Sequence, residues 1–80
     1  MSIKPLNELQ PQQKGRIVRV GGKKGIRRRL MDMGVVKGAE IIMQRVAPLG
    51  DPVEIKIKGY DLALRLEEAA EITIETEGSL

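Results

Sequence analysis

Five basic residues, Lys23, Lys24, Arg27, Arg28 and Arg29, fall within seven positions of this chain and are followed, after Leu30, by Met31 and Asp32. Ammonium and guanidinium groups donate hydrogen bonds and keep their charge at neutral pH, so a cluster of them can hold an acidic protein surface or a phosphate-bearing polymer. Little else in the chain could do chemistry. There is no His and no Cys, and the acids are scattered rather than paired, so no base, nucleophile and orienting group come together as an enzyme would need. The chain therefore reads as a non-enzyme. Gly21, Gly22 and Gly25 in VGGKKG have the composition of a phosphate-cradling loop but not its order, since both lysines precede Gly25 and Ile26 and Arg27 follow it. Glycines that turn a strand into a helix explain the same residues.

The basic run can be placed on a helix by its apolar neighbours. Ile26, Leu30 and Met33 recur at i, i+4 and i+7, and Gly34 suits the left-handed residue that closes such a helix. At about 100° per residue the three arginines differ. Arg29 lies at the border of the apolar stripe, where its methylene stem covers the core and its head meets a carboxylate or carbonyl, a structural role. Arg28 stands four residues from Asp32 and can pair with it. Arg27 and Met31 point away with no internal duty. An exposed Met flanked by Arg is what protein interfaces favour, and the rival reading is a solvated charged face. Lys23, Lys24, Arg27, Arg28 and Met31 are accordingly the candidate partner-binding residues.

Eighty residues with 41% hydrophobic content make one domain, 1–80, with its core over about 5–75 and 76–80 as a flexible tail. With no Phe, no Trp and one Tyr, the core is aliphatic and suits a tight sheet interior better than a cofactor pocket. The lack of Cys, of a signal segment and of any long apolar run points to the cytoplasm. The net charge of +3 hides a division: residues 1–30 carry nine Lys or Arg against Glu8, and the remainder carries five against ten acids. That split orients the molecule toward an acidic partner unless strands of the two halves lie side by side and cancel it. Nucleic acid is the competing ligand, but stacking platforms need aromatics and Tyr60 is alone. For metal, Asp51, Asp61, Glu67, Glu68 and Glu71 offer hard oxygens. Without His or Cys they support weak divalent binding at most.

The elements that must position these residues are strands. Leu6 and Leu9 sit at helical spacing before Pro11, a single turn plugging one end of the core. Gly15 to Val20 is a strand whose interior residues are read as Val18 and Val20, and Gly21 and Gly22 stop it. Gly38 leads into Glu40 to Val46, where Ile41, Ile42, Met43 and Val46 do not alternate cleanly, as in a strand bending round a corner. Pro48, Gly50, Asp51 and Pro52 form a turn; Val53, Ile55 and Ile57 then alternate with charged residues until Gly59. Leu62, Leu64 and Leu66 follow as a strand laying three leucines on the interior, Glu67 to Ala70 bridges as a short helix, and Ile72 and Ile74 mark the last strand. The result is a mainly β protein, a small SH3-like open barrel of about five strands with one short helix inserted after the first. An OB-type barrel, which places its helix later, is the alternative.

The run Arg29-Leu30-Met31-Asp32-Met33-Gly34, then Gly38, Ala47-Pro48-Leu49-Gly50-Asp51-Pro52, Gly59 and Leu62-Ala63-Leu64-Arg65, with Glu68-Ala69 and Ile72, closely resembles the FeoA family. Those proteins are small cytoplasmic components of bacterial ferrous iron uptake, and the same domain type resembles the C-terminal domain of iron-dependent metalloregulators. The resemblance spans about residues 5 to 75 and makes Arg29, Leu30, Gly34, Gly38, Pro48, Asp51, Pro52, Gly59, Leu62 and Leu64 its structural positions. It implies a non-enzymatic SH3-like barrel with no resident cofactor, acting on FeoB, a membrane permease with a cytoplasmic G-protein domain. Location would then be cytoplasmic, peripheral to the inner membrane through that partner. The family is also described as binding transition metals.

Overall fold

The computed structural model describes residues 2–76. Six strands form one antiparallel sheet in the order β1-β6-β2-β3-β4-β5. In chain order these are β1 (Ser2–Pro5), β2 (Lys14–Val20), β3 (Glu40–Val46), β4 (Val53–Ile57), β5 (Tyr60–Leu64) and β6 (Ile72–Thr76). Helix α1 (Lys24–Asp32) connects β2 to β3, and the single-turn α2 (Leu66–Ala69) connects β5 to β6. Leu6–Glu8 is a 3-10 turn that packs against α2 and β6, where Leu6 and Leu9 are buried and close one end of the core. The core is aliphatic throughout, with Ile17, Leu30, Val35, Ile41, Met43, Ile55, Ile57, Leu64, Ile72 and Ile74 all buried.

Four sequence expectations need correction. A sixth strand is present: Ser2–Pro5 is too short to show alternation and owes its form to pairing, Ser2 opposite Thr76 and Pro5 opposite Thr73. Thr76 accordingly closes β6 and is buried, whereas the rest of the expected tail, 77–80, lies outside the described residues. Within β2 the buried residue is Ile17 and not Val18. The ladder to β6 pairs Ile17 with Ile74 and then Arg19 with Thr73, so Val18 is the extra residue of a bulge and is carried to the outer side, while Val20 returns to the core. Leu66 is not a third interior leucine: it opens α2 and is 37% exposed, leaving Leu62 and Leu64 on the core.

The untidy pattern in β3 has a comparable origin. Ile41 and Met43 face inward and Ile42 outward, after which a register shift between Met43 and Arg45 lets Val46 rejoin the core. The β4–β5 hairpin turns on two residues, Lys58 at φ 52° and Gly59 at φ 85°, between the paired Ile57 and Tyr60. Positive φ at both central positions gives the twist that two-residue hairpins need. It also starts β5 at Tyr60, two residues before Leu62.

Helix α1 ends at Gly34, φ 91°, and the Tyr60 hydroxyl donates to the Met33 carbonyl just before it. A Cβ on Gly34 would stand 2.9 Å from that hydroxyl, whereas one on Gly25, inside α1, would meet nothing within 4 Å. Gly34→Ala should therefore destabilise by more than about 1 kcal/mol, and Gly25→Ala should be neutral or stabilising by up to about 1 kcal/mol, compared by chemical denaturation. The bulge gives a second comparison. Ile17→Ala should cost about 2–5 kcal/mol by urea unfolding and Val18→Ala less than about 1.5 kcal/mol; equal losses would mean that the bulge is misplaced.

Candidate functional site

Helix α1 is held on the sheet by one apolar row and by one charged contact. Leu30 is fully buried, with Ile26 and Met33 packed beside it on the core. The N-terminus of this helix is unfavourable, with no side-chain cap and no acid in the first turn, and Lys23 and Lys24 stand against the dipole. Packing supplies what that end lacks.

The charged contact is Arg29 to Glu68. Arg29 Nη1 lies 3.0 Å from Glu68 Oε2, with the Arg29 side chain 56% exposed and that of Glu68 only 3%. Glu68 Oε1 meanwhile accepts the Arg65 backbone N–H at 2.9 Å, at the N-terminus of α2. One buried carboxylate thus joins α1 to α2, as the border position of Arg29 predicts. The expected pair Arg28–Asp32 does not form: ion pairs among the described residues are Arg16–Glu40, Arg29–Glu68, Arg45–Glu54 and Arg65–Glu67. Both Arg28 and Asp32 are exposed, where a single pair repays little of its side-chain entropy.

The candidate partner-binding residues divide into two groups. Arg27 and Met31, one turn apart, line a groove of about 390 Å³ between α1 and β2. Val18, Val20 and Val36 also line it, as do Arg19, Lys37, Gly21 and Gly22. Met31 is 46% exposed there. Lys23, Lys24 and Arg28 are exposed but stand outside the groove. The structure thus brings apolar Val18 and Val36 and cationic Arg19 and Lys37 to Arg27 and Met31, which sequence spacing alone did not do. The signal was the adjacent pair Ile17 and Val18: one must leave the core, and the bulge sends Val18 here.

The glycines of VGGKKG do not cradle an anion. Gly21 N–H donates to the Glu71 carbonyl at 2.8 Å, and a Cβ on Gly22 would come within 3.1 Å of Glu71 Cγ, so an acidic side chain already lies over the turn. The other structural positions pack or turn the chain. Asp51 Oδ1 accepts the Leu66 N–H at 3.0 Å and ties the Pro48–Pro52 turn to α2; Gly38, φ 93°, donates its N–H to the Ile17 carbonyl at 2.7 Å.

Carboxylates expected as metal donors are dispersed. Asp51 and Glu68 accept backbone N–H groups, Asp61 accepts from Gln44 Nε2 at 3.1 Å, Glu67 pairs with Arg65 and Glu71 covers the glycine turn. Among the described residues no three potential ligands converge, so the donor set does not fit a resident metal ion.

A domain of this build, an open antiparallel barrel with α1 inserted after β2, is an SH3-like domain. The FeoA domain family model matches residues 4–76, and the chain belongs to that family. Over 70 residues it is 43% identical to an Fe(2+) transport protein A/Fe(2+) transporter FeoB fusion protein of Porphyromonas gingivalis, a match covering 88% of this chain and 8% of that protein. The chain thus spans a small part of that curated relative. The solution structure of a FeoA-like protein from Clostridium acetobutylicum superposes with a TM-score of 0.88 at 35% identity, covering 100% of this chain and 93% of the other. Zinc-complexed FeoA from Stenotrophomonas maltophilia, described as an SH3-domain protein and candidate activating factor of ferrous iron transport, has a TM-score of 0.78 at 29% identity, over 89% and 88% of the chains. The family is thus associated with ferrous iron transport and, in one relative, is fused to the transporter itself.

The Arg29–Glu68 contact predicts unequal losses. Glu68→Ala leaves the Arg65 N–H without its acceptor while the half-exposed Arg29 rehydrates, and should destabilise by about 1–3 kcal/mol, whereas Arg29→Met strands one oxygen of a buried carboxylate and should cost about 3–5 kcal/mol. Thermal unfolding of the two variants side by side checks the order.

Proposed function

We propose that this protein is a non-enzymatic accessory component of ferrous iron uptake that docks on the cytoplasmic G-protein region of a FeoB-type permease through the groove between α1 and β2. The observation that carries this reading is the position of Arg27 and Met31. They contribute nothing to the core, yet they line one groove together with apolar Val18, Val20 and Val36 and cationic Arg19 and Lys37. Exposed Met and Arg beside apolar side chains are what protein interfaces favour. The fusion in a relative supports the choice of partner, because a covalent link raises the effective concentration of two domains that work together.

The remaining features agree with a binding role. The buried carboxylate, Glu68, is committed to Arg29 and to the Arg65 N–H, so it is not free to act as a base. No aromatic side chain lines the groove on which a nucleotide base could stack, and Tyr60 is bonded to the end of α1. Among the described residues no helix is long and apolar enough to cross a membrane, and the proposed location is the cytoplasmic face, reached through the permease. Iron in this reading is the cargo of the partner.

Within the docking face the two groups of residues have different duties. Arg27 and Met31 make the contact; Lys23, Lys24 and Arg28, outside the groove, steer approach to an acidic surface. Arg27→Glu/Met31→Asp should weaken binding to the cytoplasmic region of FeoB at least tenfold, measured by calorimetry with the melting temperature unchanged. Lys24→Glu/Arg28→Glu should chiefly slow association at low salt. Unchanged affinity of the first variant, with the fold intact, would remove the docking face from α1.

A further inference from the structure

We propose that the outer face of the sheet across β2, β3 and β4 is a second docking surface, and that its occupant is an extended peptide segment with carboxylates on either side of an aliphatic side chain. The strand register builds the site. Lys14 is paired with Ile42 and Ile42 with Lys56, so one rung of the outer face reads Lys–Ile–Lys. Neighbouring strands stand about 4.8 Å apart, which puts the two lysine backbones about 10 Å from each other with the isoleucine between them. Ile42 is the residue that spoils the alternation of β3, an apolar side chain turned outward and half-buried between two cations. The three line one groove of about 880 Å³, which Lys58 extends toward the β4–β5 turn.

These lysines are exposed, and none is neutralised by an ion pair among the described residues. Asp61 is the register partner of Lys56, yet it takes its hydrogen bond from Gln44 Nε2, and among the described residues no carboxylate lies within 4.0 Å of Lys14, Lys56 or Lys58. The adjacent rung reads Glu75–Arg16–Glu40, with Arg16 bonded to Glu40 at 3.6 Å. The groove is therefore polarised, a cationic rung beside one that is nearly self-neutralised with a carboxylate to spare.

Charge complementarity selects the occupant. A polyphosphate or nucleic acid backbone carries charge at every unit and would set part of it against Glu40 and Glu75, whereas a peptide can confine its carboxylates to the lysine rung, and no aromatic side chain lines the groove for a base to stack on. A peptide meets both requirements. Extended chain advances about 3.3 Å per residue and alternates its side chains between two faces, so carboxylates four residues apart, about 13 Å, reach Lys14 and Lys56 while the aliphatic side chain midway between them, on the same face, covers Ile42. The walls leave room for its backbone: a Cβ at Gly38 or Gly59 would meet nothing within 4 Å. None of the lining residues is shared with the groove beside α1, so this surface stands or falls independently of the proposed docking on FeoB.

Titration of the labelled full chain with the capped pentapeptide Glu-Ser-Val-Ser-Glu, whose two carboxylates and valine share one face when extended, followed by amide NMR, tests the assignment. Saturable shifts should centre on Gly15, Ile42 and Lys56, with a Kd on the order of 1 mM for so short a probe. Lys14→Glu/Lys56→Glu should weaken this binding at least tenfold, Ile42→Ser should weaken it less, and Arg27→Glu/Met31→Asp should leave it unchanged. The proposal is overturned if the glutamine counterpart binds equally well, if the shifts fall on the α1 groove instead, or if inorganic tripolyphosphate gives the same shifts at lower concentration, which would make the surface a phosphate site.

Discussion

The buried carboxylate of Glu68 is the constraint around which the two helices are arranged. A carboxylate taken out of water costs several kcal/mol unless its oxygens are met, and here each is met by a different element. Oε2 faces the Arg29 guanidinium of α1 and Oε1 receives the Arg65 N–H that opens α2. Glu68 thus fixes where α1 lies along the barrel, and the half-exposed Arg29 keeps part of its hydration, which limits the cost of the pair. Asp51 serves the same helix from the other side by accepting the Leu66 N–H. A single turn of helix too short to be stable alone is held at its N-terminus by two acids.

The placement of α1 sets the working surface. Its apolar row is spent on Leu30, Ile26 and Met33, its border residue on Glu68, and its C-terminus on Gly34 and the Tyr60 hydroxyl. What remains is the flank bearing Arg27 and Met31, and the bulge in β2 places Val18 and Arg19 opposite that flank. A helix with a poor N-terminus is thereby presented in one orientation. The side chains of α1 without a role in the core are thereby collected on one exposed flank.

Much of the architecture was legible in the sequence because it follows from local chemistry. Pro48 to Pro52 forces a turn, Val53, Ile55 and Ile57 alternate, Gly34 and Gly59 occupy positive φ, and the stripe through Leu30 puts Arg29 at the core's edge. The misreadings share one cause. Val18 and Leu66 were assigned to the interior by extending a local period past the point where pairing or a new element interrupts it, and Ser2–Pro5 has a strand's form only because β6 lies beside it. The candidate site was half legible: Arg27 and Met31 stand out as residues without internal duty, while Val36 and Lys37, in the segment after α1, carry no sequence mark of their proximity.

By itself the sequence determined the class of the protein: an aliphatic, His-free and Cys-free β domain with one amphipathic basic helix and a run of turns and strands shared with the FeoA family. These are properties of residue type and near-neighbour spacing, and a chain of 80 residues displays them without being folded. Tertiary structure alone decided which carboxylate meets Arg29, which valine leaves the core, and that Lys14, Ile42 and Lys56 form one rung. Each depends on strand register, and a shift of one residue moves every side chain to the opposite face. Register is set by the summed packing of the whole sheet, which no local window contains.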